Sequence, residues 1–535
     1  MSSISSLTKA VSGLNAAQKG LQVTGHNISN TNTKGYTRQQ LLQSESSYVT
    51  IGNSGGNALK VGLGVTCDEI RQIRDDLADR RLRTETSVLN YYQQLNSVTQ
   101  DIESIFDEPY GNTISDLMNT FWAQTQTLSQ NVSGITERTQ FISTAQVLIN
   151  KINVVSDSLT DYQMQLNKEV ERAVNRINEL IDGIKACNDK VAIEKATGEN
   201  ANDYRDERNL LLDELATYGN ISYYEGADRR VTVSFEGHTV VDKDITIKMK
   251  LKQTEEGSPF DSPVWVDTGS SVYDLDDVSS AAYANDTGSL QALLIARGNN
   301  VVNKDTTWKD VALNDNFSVD VQGNAFIVPK IQKLLGDFTS KLVNTVNNTL
   351  TGTGIGEWRG KQGLNVFVEI NAGRGLVPGN IQVNPELLEG GGYNKLGTIN
   401  GNPNAPTDHT NNNDQDTTLV TKLLAEMGTS HSWYSDPAQL KPEEVASAPY
   451  KKTSSMKDFF SELVTDIGGM GSLYTAKATE KSISTTNIQN ERLAMSGVST
   501  DEEFSSMLKY QYAYNASARM ITMLDGMMDT IINKM

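Results

Sequence analysis

The 535-residue sequence has little of what reactive chemistry or membrane residence requires: two cysteines, four histidines and five tryptophans. Cys67 and Cys187 stand far apart without a CxxC pairing, so neither a disulfide framework nor a thiolate metal site is indicated, and the redox compartment stays open. His26, His238, His409 and His431 form no HExxH pattern and stand beside no second ligand at helical spacing. The cluster Asp408, His409, Asp414 and Asp416 lies in an Asn-rich stretch and reads as a solvated loop, so no metal ligand is assigned. No segment approaches the run of about 18 apolar residues that a membrane span needs. The opening MSSISSLTKA lacks both a basic n-region and an apolar h-region, so no Sec signal is expected. A chain of this kind leaves the cytoplasm, if it does, by another route.

Net positive charge is also missing. Asp and Glu number 66 against 47 Lys and Arg, giving a formal charge of -19, which disfavours nucleic acid and anionic lipid as partners. Catalytic motifs are absent as well. Gly352, Gly354 and Gly356 in TGTGIGEWRGK follow a helix-like run, and Lys361 is followed by Gln362 where a phosphate loop needs Ser or Thr. There is no GxSxG elbow, and the carboxylates show no spacing that singles out an acid and a base. The expectation is no enzyme, with no catalytic residue and no cofactor.

What is present is length, periodicity and a change of texture along the chain. Hydrophobic residues make up 37% and mean hydropathy is -0.42, so most of the chain should fold, in two to four units at this length. Leu7, Leu14, Leu21 and Ile28 recur at intervals of seven, with Ile4, Val11 and Ala17 on neighbouring positions of the same face, and read as a helix seam. Asn27, Asn30, Asn32 and Gly35 then mark a loop. At the other end Met507, Tyr510, Tyr514, Ser517, Ile521, Leu524, Met528, Ile531 and Met535 alternate three and four apart, behind an acidic first turn of Asp501, Glu502 and Glu503. Each terminal helix has a stripe to bury and too little neighbouring sequence to bury it. The two are expected to cover each other or a neighbouring subunit. Before assembly they are expected to be disordered, with Leu524 solvated.

The fold class expected is mainly α with inserted β material: a terminal coiled coil, an elongated helical domain built from N- and C-terminal pieces, and a β-rich outer domain. The boundaries read as 1–65 for the N-terminal helix and loop, 66–216 for the first part of the helical domain and 217–286 for the β insertion. Then follow 287–350 as a helical return, 351–451 as a Gly/Asn-rich excursion, 452–498 as the last helical part and 499–535 as the C-terminal helix. Alternation in VTVSFEGHTVV and ITIKMKLK carries the β assignment and suggests a unit remote from the terminal helices.

The stretch SSLTKAVSGLNAAQKGLQVTGHNISNTNTKGYTRQQ and the closing EEFSSMLKYQYAYNASARMITMLDGMMDTIINKM resemble the two ends of the flagellar rod, hook and hook-associated axial protein family. The motif residues Asn27, Asn30, Gly35, Tyr36, Thr37 and Arg38 point within it to the hook-associated members. So do DYRDERNLLLDELATYGNISYYEGADRRVTVSFEGHTVV, GSLQALLIARGN, NIQVNPELLEG and MSGVSTDEEF. The resemblance implies a structural adapter between hook and filament at the extracellular hook-filament junction, delivered by flagellar type III export without a cleavable signal peptide. It implies a subunit interface on the terminal helices, at Leu7, Val11, Leu14, Leu21, Ile28, Met507, Tyr510, Tyr514, Ile521, Leu524, Met528 and Ile531. Implied partners are the hook protein, a second junction protein, further copies in a ring of the axial lattice, and an export chaperone at the C-terminal helix. Alternatives are the hook or distal rod members of the same family, or a secreted adhesin or hydrolase.

Overall fold

The computed structural model describes residues 2–54, 57–106, 113–198, 200–254, 257–273, 275, 287–308, 310–311, 326–352, 354–355, 362–400, 416–433 and 453–534. The chain is mainly α-helical with small β pieces between the helices. Two compact units emerge: 1–87 with 176–248 and 481–535, and 88–175 with 249–480.

In the first unit, α1 (Ser2–Ser29) leads through a loop into β1 (Gln39–Glu45), β2 (Tyr48–Ser54), β3 (Asn57–Gly62) and β4 (Val65–Gln72). β1 pairs antiparallel with β4, and β2 with β3. Segment 1–65 is therefore not helix and loop alone. Its strands were hidden because QQLLQSE and VTCDEIRQ alternate only weakly in polarity. The helices α2 (Asp76–Phe106), α3 (Ile114–Gln130), α4 (Ile135–Thr197) and α5 (Asn202–Tyr218) follow. α2 and α4 contribute residues to both units.

The next strands, β5 (Ile221–Glu225), β6 (Val231–Phe235), β7 (His238–Asp242) and β8 (Ile245–Thr246), form one antiparallel sheet in chain order. Its alternating burial at Val231, Val233 and Phe235 is the pattern read from the sequence. The sheet belongs to the unit that holds both chain ends, and the chain passes to the other unit at Met249. Polar anchoring holds the sheet there. Asn188 on α4 exchanges two hydrogen bonds with the Val231 backbone, at 2.8 and 3.0 Å. Arg208 on α5, fully buried, donates to the Arg229 carbonyl at 2.8 Å and pairs with Glu225 at 3.0 Å.

In the second unit β9 (Met249–Gln253) pairs with β10 (Asp261–Trp265), and the buried Arg297 closing α6 (Ser289–Arg297) donates to the Asp261 carbonyl at 2.7 Å. Then come α7 (Ile327–Gly352), the short strands β11 (Gly354–Ile355), β12 (Phe367–Glu369) and β13 (Ile381–Val383), α8 (Pro385–Leu388), β14 (Ile399–Asn400) and α9 (Thr418–Gly428). β15 (His431–Ser432) and β16 (Thr453–Ser454) pair before α10 (Phe459–Ser496), which also contributes residues to both units, and the last helix is α11 (Thr500–Lys534). The core of this unit is apolar: Phe338 of α7 stacks on Phe459 at 4.7 Å and meets Phe460 at 4.6 Å and Trp433 at 5.7 Å. Gly356, Lys361, Asp408, His409 and Asp414 lie outside the described residues, as does Met535.

Candidate assembly interface

α1 and α11 pair antiparallel in the first unit with a close backbone approach along the contact. The face of α1 turned to that contact carries small residues: Ala10, Ala16, Ala17, Gly20, Val23, Thr24 and Asn27 are all buried. Small side chains let the backbones approach closely. A Cβ at Gly20 would stand 2.5 Å from the Tyr510 ring, and one at Gly13 3.0 Å from the Ser517 Oγ. The heptad Leu7, Leu14, Leu21 and Ile28 is thus not the seam of this pair. Leu7 and Val11 are about 40% exposed, and Leu14, Leu21 and Ile28 are half-buried. Reading by large apolar residues missed the Ala/Gly face because an alanine stripe carries little hydrophobic signal.

On α11, Met507, Tyr510, Ser517, Ile521 and Leu524 share the side turned to α1 and are half-buried. Within one chain α1 covers that side of α11, and Leu524 is half-buried there. Tyr514 and Met528 lie near the same side and stay exposed, and the side chain of Ile531 is outside the described residues. At about 3.6 residues per turn, Phe504, Leu508, Tyr512 and Met523 fall on the opposite side, with Met520 and Met527 on its flank. All six are exposed, Tyr512 at 71%. Away from the covered sides, Leu7 and Val11 of α1 and these six residues of α11 are large apolar side chains left bare among exposed polar neighbours such as Gln18 and Arg519.

The family-motif residues lie at the foot of the pair. Asn27 is 1% exposed. Its Nδ2 donates to the Gln39 carbonyl at 2.9 Å and to Glu503 Oε2 at 3.1 Å, while its Oδ1 accepts from Tyr36 Oη at 2.7 Å and from the Gln39 N–H at 3.0 Å. Burial, with Asp206, Asp203 and Glu503 nearby, pushes the Tyr36 phenol well above its ordinary pKa and keeps it a donor. Asn30 ties the loop by donating to the His26 carbonyl and accepting from Thr33. Gly35 takes φ +83°, and a Cβ there would meet Leu210 at 2.4 Å, so its backbone both requires the left-handed region and lacks room for a side chain. Arg38 clamps the start of α11: its Nε reaches Glu503 Oε1 at 2.7 Å, its Nη1 reaches Glu502 at 2.9 Å, and its backbone N–H donates to the Ser496 carbonyl.

A second polar layer surrounds this one. Asp206 of α5 accepts from the Thr37 N–H at 3.1 Å and from Gln72 at 2.8 Å, with Arg74 at 3.8 Å. Burial pushes its carboxyl up to about 6 even so, the hydrogen bonds from Thr37 and the Arg74 charge opposing the rise. Asp213 bridges Arg83 at 2.7 Å and Arg492 at 2.8 Å; burial alone would raise its pKa, and the two guanidinium groups more than offset that, holding it below the ordinary range. Glu503, Asp206, Arg74, Asp213 and Arg492 were all missed in the sequence, since nothing local links acids and bases hundreds of residues apart. Among the described residues no three His, Cys, Asp or Glu side chains cluster as a metal site, and no helix is long and apolar enough to cross a membrane.

A mainly helical chain whose two ends pair and leave apolar stripes bare has the terminal arrangement of an axial protein of the flagellum. The comparisons agree on that class at both ends. Residues 7–37 match the flagella basal body rod protein model, and residues 489–534 match the model of the flagellar basal body rod FlgEFG protein C-terminal region. The middle is more specific: residues 99–367, half of the chain, match the helical domain of the flagellar hook-associated protein FlgK. The flagellar hook-associated protein 1 of Bacillus subtilis (strain 168) is 24% identical over 542 residues, covering 99% of this chain and 98% of that protein. Its namesake in Salmonella typhimurium is 23% identical over 576 residues, covering 98% and 99%. A solved structure of the flagellar hook junction protein FlgK from Burkholderia pseudomallei aligns with a TM-score of 0.41 at 16% identity, over 54% of this chain and 46% of that one. The chain belongs to the FlgK family of flagellar hook-associated proteins, which are structural components of the flagellum at the junction of hook and filament.

Proposed function

We propose that this chain is the adapter that joins hook to filament, taking its place in a ring of the axial lattice through the bare faces of its terminal helices. The observation that carries the reading is the α11 stripe from Phe504 to Met527, exposed on a helix whose other side is already covered. Such a stripe is left for a neighbour. Leu7, Val11, Leu14, Leu21 and Ile28 of α1, with Tyr514, Met528 and Ile531 of α11, are the further positions assigned to that interface. Met507, Tyr510, Ile521 and Leu524 serve it indirectly by holding α11 on α1. Copies of the chain lie beside it, hook protein below and a second junction protein above. The chain reaches its extracellular site through the flagellar type III apparatus without a cleavable signal peptide, with an export chaperone on the C-terminal helix until then. The role is structural and requires no catalysis.

The test is incorporation onto isolated hooks. The full chain should cap hooks and support filament growth. A chain lacking 1–40 and 501–535 should remain folded by circular dichroism yet fail to incorporate. A truncated chain that capped hooks normally would sink the reading.

A further inference from the structure

The partners across the α1–α11 contact step by seven residues in opposite directions: Gly13 meets Ser517, Gly20 meets Tyr510 and Asn27 meets Glu503. The buried face of α1 repeats at the same interval, Ala10 with Ala17 and Thr24, and Ala16 with Val23. A contact that repeats every seven residues has a weakness. Sliding α11 by one repeat, about 10 Å at 1.5 Å per residue, again sets small side chains of α1 against it. Apolar packing therefore discriminates poorly between such registers.

What does not repeat is the foot of the pair. Glu503 is 3% exposed and has Asn27 and Arg38 as its partners. Slid one way, its carboxylate would face Gly20, which offers no donor. Slid the other way, it would pass beyond the end of α1 and Asn27 would face Tyr510. Either slip parts a buried carboxylate from its guanidinium, which is strongly disfavoured. A single polar position set in an otherwise permissive seam is an effective way to specify register.

We propose that the Asn27, Arg38 and Glu503 node is a register key, a conformational device that permits one alignment of α11 on α1 and excludes those one repeat away. Its consequence for assembly rests on the proposed function: the key fixes the height at which the stripe from Phe504 to Met527 is offered beside Leu7 and Val11. Asn27 and Arg38 act through Glu503 as positioning residues.

Register can be read in the full-length monomer without assembly. Spin labels are placed at the exposed positions Gln18 and Arg519 by Gln18→Cys and Arg519→Cys, with Cys67→Ser, while Cys187, 2% exposed, is retained. Pulsed electron paramagnetic resonance should give one distance for the otherwise unaltered chain. Glu503→Ala on α11 and Arg38→Ala outside it should each add a second population whose axial separation differs by about 10 Å. Amide hydrogen exchange should show α11 still protected in both. The proposal is overturned if either variant keeps the original distance alone, or if α11 loses protection throughout, which would make the node an anchor and not a register key. Because hooks play no part in the readout, failure here leaves the proposed function standing. Failure to cap hooks with register intact would count against the proposed function alone.

Discussion

The Phe338 cluster and the Asn27 node hold their units together by opposite means. The rings of Trp433, Phe459 and Phe460 all lie within 6 Å of the Phe338 ring, and Phe338 is fully buried. The driving force is area removed from water, which is large and indifferent to direction. Around Asn27 the contact is built from glycine, alanine and a set of directed hydrogen bonds, and several large apolar residues of the same helices, Leu7, Val11, Phe504, Leu508 and Tyr512 among them, stay exposed. Stability is spent inside the first cluster and withheld at the second, where the apolar surface serves a contact with something else.

The comparison predicts very different costs of damage. Phe338→Ala should be the most severe, losing about 3–5 kcal/mol as a large buried aromatic is removed. The loss should appear in urea denaturation followed by tryptophan fluorescence, with amide exchange over 500–534 unchanged. If exchange in α11 rose in parallel, the two regions would not be energetically separate.

Gly20→Ala comes next, because its Cβ would stand 2.5 Å from the Tyr510 ring. Overpacking of this kind costs about 1–3 kcal/mol, and here it should raise exchange across α11 while sparing the Phe338 cluster. Normal protection of α11 would mean that Tyr510 swings away freely and the close approach contributes little.

Asp206 should produce a slope with pH and not a step. Its folded-state pKa is pushed up to about 6 from an ordinary 3.8, so the folded chain holds this proton more tightly than the unfolded one. Its contribution is full below the unfolded value and is lost as pH rises through the folded one. Urea denaturation at pH 4, 5, 6 and 7 should therefore show the natural chain losing stability relative to Asp206→Asn as pH rises. A difference that grew in the other direction would mean that the Arg74 charge and the Thr37 hydrogen bonds outweigh burial.

Smallest for the monomer is Met523→Asp on the bare stripe, where exposure is 63%. Stability should move by no more than about 0.5 kcal/mol, while capping of isolated hooks should fall steeply. Unimpaired capping would exclude this part of α11 from the interface.

Much of this architecture was legible where large residues keep a period. The C-terminal stripe led to α11, the helical return within 287–350 to α7, and the alternation of VTVSF to β6, since burial of big side chains dominates each. The site was legible only in its motif, from Asn27 to Arg38. The side of α1 that touches α11 was misread because alanine and glycine pack by being absent, and absence has weak periodicity. Glu503 looked like an ordinary acid in a helix's first turn, and its pairing with Arg38 spans 465 residues. The strands β1 and β4 escaped for a related reason: they lie against α1 and each other, and Leu41 is their one buried large apolar side chain.

That 476 residues separate Asn27 from Glu503 bears on the order in which the molecule can form. Contacts of such long range are made late, because the chain between them must be gathered first. During synthesis α1 emerges long before α11, so α1 waits for its partner while the residues between them are made. A face of glycine and alanine suits that wait, since it exposes little for other chains to seize. The closing contact of the fold thus waits on a late-made helix, and a chain stopped short of α11 would carry an α1 with nothing to recognise.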